Sequence, residues 1–248
     1  MLTQEELLQY SRHIILPEID LEGQERIKNS HVLIIGVGGL GSPAAMYLAA
    51  AGVGKLTLVD DDHVERSNLQ RQIIHRIGAL KLPKVVSAKE SLNNINPNVD
   101  VRAIEARATI DLLDELLSSE RYNAVLDCTD NFDTRFMLNK ASVRTKTPLV
   151  SASAVAFSGQ LAVFNLEPEH ACYRCLYSDN ELPEGDCTAQ GILSPVVGTM
   201  GTLQATEALK IILDLSYPSS SFMMNYRSLH SEFKTFKVTK DPNCTVCG

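Results

Sequence analysis

A glycine-rich segment and the aspartate that follows it have the spacing of a nucleotide-binding motif. The segment 36–41 reads Gly-Val-Gly-Gly-Leu-Gly, and Asp60 lies 19 residues after Gly41. Such glycines let backbone approach a phosphate, the next helix N-terminus favours negative charge, and the acid accepts hydrogen bonds from ribose hydroxyls. The pattern predicts a mononucleotide or dinucleotide site, with a purely structural glycine turn as the alternative. The candidate phosphate-contacting glycines are Gly36, Gly38, Gly39 and Gly41.

Two cations and a further acid are expected at the same site. Arg71 and Lys84 lie in connections after Asp60, and Asp130 and Asn131 follow a buried apolar run. Hydride transfer to or from NAD does not need two cations and a metal-binding acid near the phosphates. Attack at the α-phosphorus of ATP develops charge that Arg and Lys neutralise, and a carboxylate can hold Mg²⁺ between phosphate oxygens. The set favours nucleotidyl transfer over an NAD-dependent oxidoreductase, although each residue alone is an ordinary solvated charge or helix cap.

Four of the six cysteines form two CxxC pairs, which indicates a metal site rather than disulfides. The pairs are Cys172 with Cys175 and Cys244 with Cys247. Four thiolates suit a tetrahedral Zn²⁺, and because no position stays open the zinc would be structural. Free or redox-active cysteines are the alternative. Of the other two, Cys128 is predicted to be a small buried residue. Cys187, in a polar loop, is either a bystander thiol or a nucleophile that accepts sulfur or an acyl group.

Alternating apolar runs and helical patterns would position these residues. Strands are predicted at 31–36, 56–60, 99–106, 124–127 and from 148, and helices at 42–51, 83–94, 110–117 and 132–144. This alternation is typical of βαβ units and of a parallel sheet covered on both faces. The sequence therefore predicts a Rossmann-like, doubly wound α/β fold whose ligands bind at the carboxyl ends of the strands.

The remaining segments predict one continuous domain over 1–248. Amphipathic helices are expected in 1–30, and the nucleotide-binding half in 31–155. The half at 156–248 would be mixed or antiparallel and would hold the zinc and the partner. In it we expect a strand at 160–165, a loop at 167–194, a helix at 196–213 and antiparallel strands at 222–227 and 233–238.

Composition excludes several classes of protein. Hydrophobic residues make up 44% and charged residues 21%, as in ordinary globular chains and unlike disordered or collagen-like ones. The net charge of −7 argues against a nucleic-acid partner, which usually meets a basic face. No apolar run is long enough for a spanning helix and no signal-peptide core is visible, so no membrane partner and a cytoplasmic location are expected.

The sequence resembles the bacterial activating enzymes related to eukaryotic ubiquitin-activating enzymes, which are adenylyltransferases of small sulfur-carrier proteins. The resemblance covers nearly the whole chain and is carried by several segments together. These are 10–16, 36–41, 60–62, 67–71, 83–85, 127–131, both CxxC pairs and Cys187. The branches that serve molybdenum-cofactor and thiamine synthesis are the nearest, and the first is favoured.

This resemblance implies an activity and a set of roles. ATP would adenylate the C-terminal Gly-Gly carboxylate of a ubiquitin-like carrier, releasing pyrophosphate, and sulfur would enter later to form a thiocarboxylate. Asp60 would hold the ribose and Asp130 the Mg²⁺, while Asn68, Arg71 and Lys84 contact phosphates. The implied nucleotide-contacting set also includes Asp62, Ser67, Leu69, Gln70 and Asn131.

The resemblance also implies a homodimer in which Arg12 reaches the neighbouring subunit's site. No sulfurtransferase-like segment follows the last CxxC pair, so a separate protein is expected to donate sulfur. Two further readings stay open, an NAD-dependent oxidoreductase with a structural zinc, and a non-catalytic scaffold or an activating enzyme for a tRNA or small acid.

Overall fold

A mixed β-sheet forms the centre of the computed structural model, which describes residues 1–177, 191–215 and 221–248. The strands are β1 His31–Ile35, β2 Lys55–Asp60, β3 Asp100–Glu105, β4 Ala124–Asp127, β5 Leu149–Val155, β6 Ser158–Phe164, β7 Phe222–Arg227 and β8 Glu232–Lys237. The helices are α1 Gln4–Gln9, α2 Ser11–Ile14, α3 Asp20–Lys28, α4 Gly41–Ala51, α5 Lys84–Ile95, α6 Ile110–Ser119, α7 Phe132–Thr145, α8 Tyr173–Leu176 and α9 Ser194–Leu213. Within these residues no helix is both long and apolar enough to cross a membrane.

The strand order is β3-β2-β1-β4-β5-β6-β7-β8. The first five strands of this order, from β3 through β2, β1 and β4 to β5, pair in parallel. The strands from β5 to β8 pair antiparallel. The chain leaves β1 toward β2 and later returns on the other side through β4. In sheets of this type the crevice at such a reversal is where ligands bind.

Apolar side chains of the central strand point alternately into two hydrophobic layers. Val32 and Ile34 pack with residues of α4, α5 and α9, whereas Leu33 and Ile35 pack with residues of α6 and α7. Every residue of β1 is buried, as the continuous apolar run predicted. The predicted α/β fold with a mostly parallel half and an antiparallel continuation is thus confirmed.

The predicted elements differ from the structure mainly at their ends. The fifth strand continues to Val155 and turns at Ala156, which has a positive φ of 50°, so β6 begins at Ser158. The segment predicted as a loop at 167–194 contains the one-turn helix α8. Part of that segment, including Cys187, lies outside the described residues.

A buried glutamine joins α9 to the strands that end at the cleft. The Nε2 of Gln204 donates to the carbonyls of Asp127, at 2.7 Å, and Val150, at 3.1 Å. Its Oε1 accepts from the Sγ of Cys128 at 3.3 Å. The side chain is fully buried, so without the amide each of these three groups would lose this hydrogen bond inside the protein.

Replacing this amide tests its contribution to stability. Gln204→Leu is expected to lower the free energy of unfolding by about 2–3 kcal/mol, because three buried hydrogen bonds are lost. Urea unfolding monitored by circular dichroism measures the change. Thr206→Ala, at an exposed position of α9, should stay within about 0.5 kcal/mol of the parent chain. Equal stability of the two variants would contradict the assignment.

Candidate nucleotide cleft and cysteine cluster

A cleft of about 560 Å³ opens at the carboxyl ends of the parallel strands. It lies at the reversal between β1 and β4, and the first residues of α4 and α7 are next to it. The predicted site residues that line it are Gly36, Gly38, Gly39, Asp60, Asp62, Gln70, Arg71, Lys84, Asp130 and Asn131. Helix N-termini at this position favour bound anions such as phosphate.

Glycines in the loop after β1 are required by close backbone packing. Gly36 has a φ of 89°, and a Cβ there would lie 2.7 Å from the Cys128 carbonyl oxygen. A Cβ on Gly41 would lie 2.0 Å from the Gly36 carbonyl oxygen. At Gly38 a Cβ would make only ordinary contact, the nearest atom being 3.5 Å away on Gln72. Packing therefore fixes the two ends of the motif, while Gly38 faces the cleft.

Asp60 ties the end of β2 to the glycine loop. Its Oδ2 accepts from the Val37 N–H at 2.7 Å, and its Oδ1 accepts from the Asp62 N–H at 2.9 Å. Burial raises the pKa of Asp60, and the Lys84 charge together with the two backbone hydrogen bonds opposes that rise. Asp60 lines the cleft, and its carboxylate oxygens can each accept a further hydrogen bond, for example from a hydroxyl group of a ligand.

Two cations approach the cleft from separate connections. Lys84 is the first residue of α5 and is 6% exposed, and its Nζ lies 2.8 Å from the Oδ2 of Asp62. Arg71 follows a 3₁₀ turn, and its Nη1 donates to the Ser67 carbonyl at 3.2 Å. Both groups line the cleft, so its wall carries positive charge beside the glycine loop.

The loop after β4 supplies the opposite wall. The Nη2 of Arg135 donates to the Thr129 carbonyl at 2.7 Å, and this hydrogen bond fixes the loop. The side chain of Asn131 caps α7 by accepting from the Thr134 N–H at 2.9 Å. Asp130 is exposed between them. The Nδ2 of Asn131 also donates to the Oδ1 of Asp130 at 3.5 Å, so this wall presents an exposed carboxylate beside a capped helix N-terminus.

Some predicted site residues do not line this cleft. Asn68 accepts from the Glu65 N–H at 3.1 Å and shapes the turn that carries Arg71. Arg12 is exposed on α2. In the described chain, Asp60, Asp61 and Asp62 form a group of three acids with carboxylate oxygens within 4.8 Å of one another, and Asp130 is not part of that group. The residues away from the lining are Arg12, Gly41, Ser67, Asn68 and Leu69.

Sequence reasoning missed several residues of the cleft. Gln72 is 4% exposed, and within the described residues its Oε1 accepts no hydrogen bond. Arg107 lines the cleft just after β3, where the carboxyl-end rule would have found it. Val197 of α9 also lines it, and a Cβ at Gly39 would lie 3.0 Å from its Cγ2. No sequence signal links α9 to the glycine loop, because that contact is purely tertiary.

The two CxxC pairs meet in the structure, as their spacing predicted. Their Sγ atoms are 3.6 Å apart for Cys172 and Cys244, 3.5 Å for Cys175 and Cys247, and 4.0 Å for Cys172 and Cys175. These separations are far above a disulfide bond of about 2.05 Å. Asn139 donates to the Sγ of Cys172 at 3.4 Å.

These sulfur positions are compatible with a zinc ion. A tetrahedron with Zn–S bonds of about 2.3 Å has sulfurs about 3.8 Å apart, close to the separations here. A second-sphere donor such as the Asn139 amide also suits a thiolate ligand. The donor set therefore fits a closed, structural zinc site.

Comparison with known proteins extends over nearly the whole chain. Residues 10–246 match the ThiF family. The sulfur carrier protein ThiS adenylyltransferase of Escherichia coli (strain K12) is 44% identical over 98% of this chain and 96% of its own length. The molybdopterin-synthase adenylyltransferase of Salmonella typhimurium (strain LT2) is 41% identical over 100% of this chain and 98% of its own.

Solved structures share the fold at lower identity. Escherichia coli MccB, crystallised with AMPCPP and MccA, superposes with a TM-score of 0.80 at 23% identity, over 97% of this chain and 74% of that chain. PaaA superposes with a TM-score of 0.81 at 22% identity, over 97% and 76%. With a family match over 10–246 and relatives at 44% and 41% identity along nearly its full length, the chain belongs to the ThiF family.

Proposed function

We propose that the chain is an ATP-dependent adenylyltransferase that activates the C-terminal carboxylate of a small sulfur-carrier protein. The observation that supports this most is the convergence of Lys84 and Arg71 on the glycine-loop cleft. Two full-length relatives carry adenylyltransferase names, which supports a nucleotidyltransferase. In this proposal Asp60 holds the ribose and the glycine loop contacts phosphates, while Asn68, which the resemblance also placed on the phosphates, holds the turn that carries Arg71.

The chemistry needs charge neutralisation rather than a base. A C-terminal carboxylate has a reference pKa of about 3.5 and is already ionised at pH 7. Its oxygen attacks the α-phosphorus, the bond to the β-phosphate oxygen breaks, and pyrophosphate leaves. Arg71 and Lys84 offset the repulsion between the anions and stabilise charge on the phosphate oxygens. Mg²⁺ held by Asp130 would neutralise further phosphate charge when bound.

The carrier and the assembly are part of the same proposal. A Gly-Gly tail is thin enough to enter the cleft, and the half at 156–248 binds the carrier's body. Two copies form a homodimer in which Arg12 of one completes the site of the other, and a separate protein donates sulfur. The molybdenum-cofactor carrier is our first choice and the thiamine carrier our second. The identities to the corresponding relatives, 41% and 44%, are too similar to rank the two carriers.

A direct assay tests activity and carrier together. The purified chain is mixed with ATP, Mg²⁺ and each Gly-Gly carrier of the same organism, and carrier masses are measured. One carrier should gain the mass of an adenylyl group and support exchange of labelled pyrophosphate into ATP. The same carrier without its last two glycines is the control. Absence of exchange with every carrier, or binding of NAD in place of ATP, would overturn the proposal.

The two cleft cations are expected to act on the transition state. Arg71→Ala and Lys84→Ala should each slow carrier-dependent pyrophosphate exchange about 100- to 1,000-fold, because each removes charge stabilisation. The unfolding midpoint should change little, since Asp62, the partner of Lys84, is well exposed. Lys89→Ala, at an exposed position of the same helix, is the matched control. Near-normal rates would remove both cations from the mechanism.

We also propose that the cysteine cluster holds a structural zinc. Cys172→Ser should lower zinc content from about one ion per chain and destabilise the C-terminal half, because three thiolates bind zinc less tightly than four. Elemental analysis and thermal unfolding measure both effects. Cys128→Ala changes a buried cysteine outside the cluster and should keep its zinc. A folded Cys172→Ser chain with full zinc would contradict the assignment.

A further inference from the structure

A buried histidine lies behind the cleft and contacts two segments that form it. His75 is 6% exposed and does not line the cleft. Its Nε2 lies 3.0 Å from the carbonyl oxygen of Val37, in the glycine loop. Its Nδ1 lies 2.9 Å from the Oγ of Ser87, one turn after Lys84 in α5. His75 itself follows Arg71 by four residues, and its N–H donates to the Gln72 carbonyl at 3.1 Å.

These partners fix the protonation of the ring. A carbonyl oxygen only accepts, so Nε2 carries the proton and donates to Val37. In the neutral ring Nδ1 then accepts from the Ser87 hydroxyl. Burial lowers the pKa of His75, the hydrogen bond to Val37 opposes this, and the charge of Lys84 lowers it further. A neutral ring with defined donor and acceptor sides therefore bridges the two segments at pH 7.

We propose that His75 is a positioning residue that sets the glycine loop against the two cleft cations. Its backbone continues the segment that carries Arg71, its Nε2 holds the loop at Val37, and its Nδ1 holds α5 near Lys84. The inference rests on the proposed adenylation in one respect, that these groups act on one phosphate chain. A displacement of about 1 Å between such groups slows catalysis about 100-fold.

Two isosteric variants separate the two hydrogen bonds. The amide nitrogen of Gln lies where Nε2 lies, so His75→Gln keeps a donor for Val37. The amide of Asn reaches only the Nδ1 position, so His75→Asn keeps the Ser87 bond and loses the loop bond. His75→Asn is expected to lower kcat of pyrophosphate exchange at least about tenfold with less than about threefold change in KM for the carrier. His75→Gln should stay within about threefold of the parent chain.

A buried histidine at the amino end of β1, away from the cleft, provides the control. His31 is 8% exposed, and its Nε2 lies 2.8 Å from the Oγ1 of Thr57. The His31→Asn and His31→Gln pair should shift thermal unfolding without changing kcat. If His75→Asn and His75→Gln lose activity equally, and in proportion to lost stability, the histidine only fills space and the inference is wrong.

Crystal structures of the two His75 variants test the inference independently of activity. The backbone from Val37 to Gly39 should move relative to Lys84 in His75→Asn and superpose in His75→Gln. A loop that is unmoved in both variants overturns the positioning role even when the parent chain adenylates a carrier. A parent chain without exchange activity overturns the proposed function, and the displaced loop in His75→Asn would still support the positioning role.

Discussion

The close approach of backbone at the ends of β1 and β4 is the constraint on which the site depends. The Gly36 carbonyl passes so near Gly41 that only glycine fits, and Gly36 itself lies against the Cys128 carbonyl. This packing leaves one path for the loop, and that path directs the first turn of α4 toward the cleft. Because the Val37 N–H donates to Asp60, the same path fixes the acid at the end of β2. The backbone geometry of the proposed phosphate site therefore follows from packing before any charged side chain contributes.

Lys84 in the cleft is paired with Asp62, an exposed acid that a phosphate oxygen of a ligand can replace at low cost. An unpaired buried ammonium group is costly, and Lys84 is nearly fully buried. Its partner Asp62 is 68% exposed, so water and salt screen that carboxylate. Exchanging Asp62 for a phosphate oxygen leaves the aspartate hydrated and gives the lysine a more highly charged partner. In the proposed function, a chain with a net charge of −7 would thus attract a polyanion through local pairing rather than through its overall field.

The sequence predicted helices and strands well where the apolar pattern agrees with the residues that begin or end the element. β1 is an unbroken apolar run that ends in glycine, and α7 begins after the capping residue Asn131, so both were predictable. The one-turn helix α8 was not, since so short an element has no periodicity. His75 was also missed, because its hydrogen bond reaches the carbonyl of Val37, a residue 38 positions earlier in the chain. Residue types and their spacing in the sequence identify side chains that contact a ligand. Side chains that hold those residues in place can be identified only from the three-dimensional structure.

Helix α7 connects the two candidate sites, the nucleotide cleft and the cysteine cluster. Asn131 caps the helix at the cleft, and Asn139 on the same helix donates to the Sγ of Cys172. Eight residues of α-helix span about 12 Å. Cys172 and Asn139 are buried, so salt screens a charge at the cluster only weakly along this path. A bound zinc would therefore act on the cleft both through the position of α7 with its N-terminal amides and through the charge of the cluster.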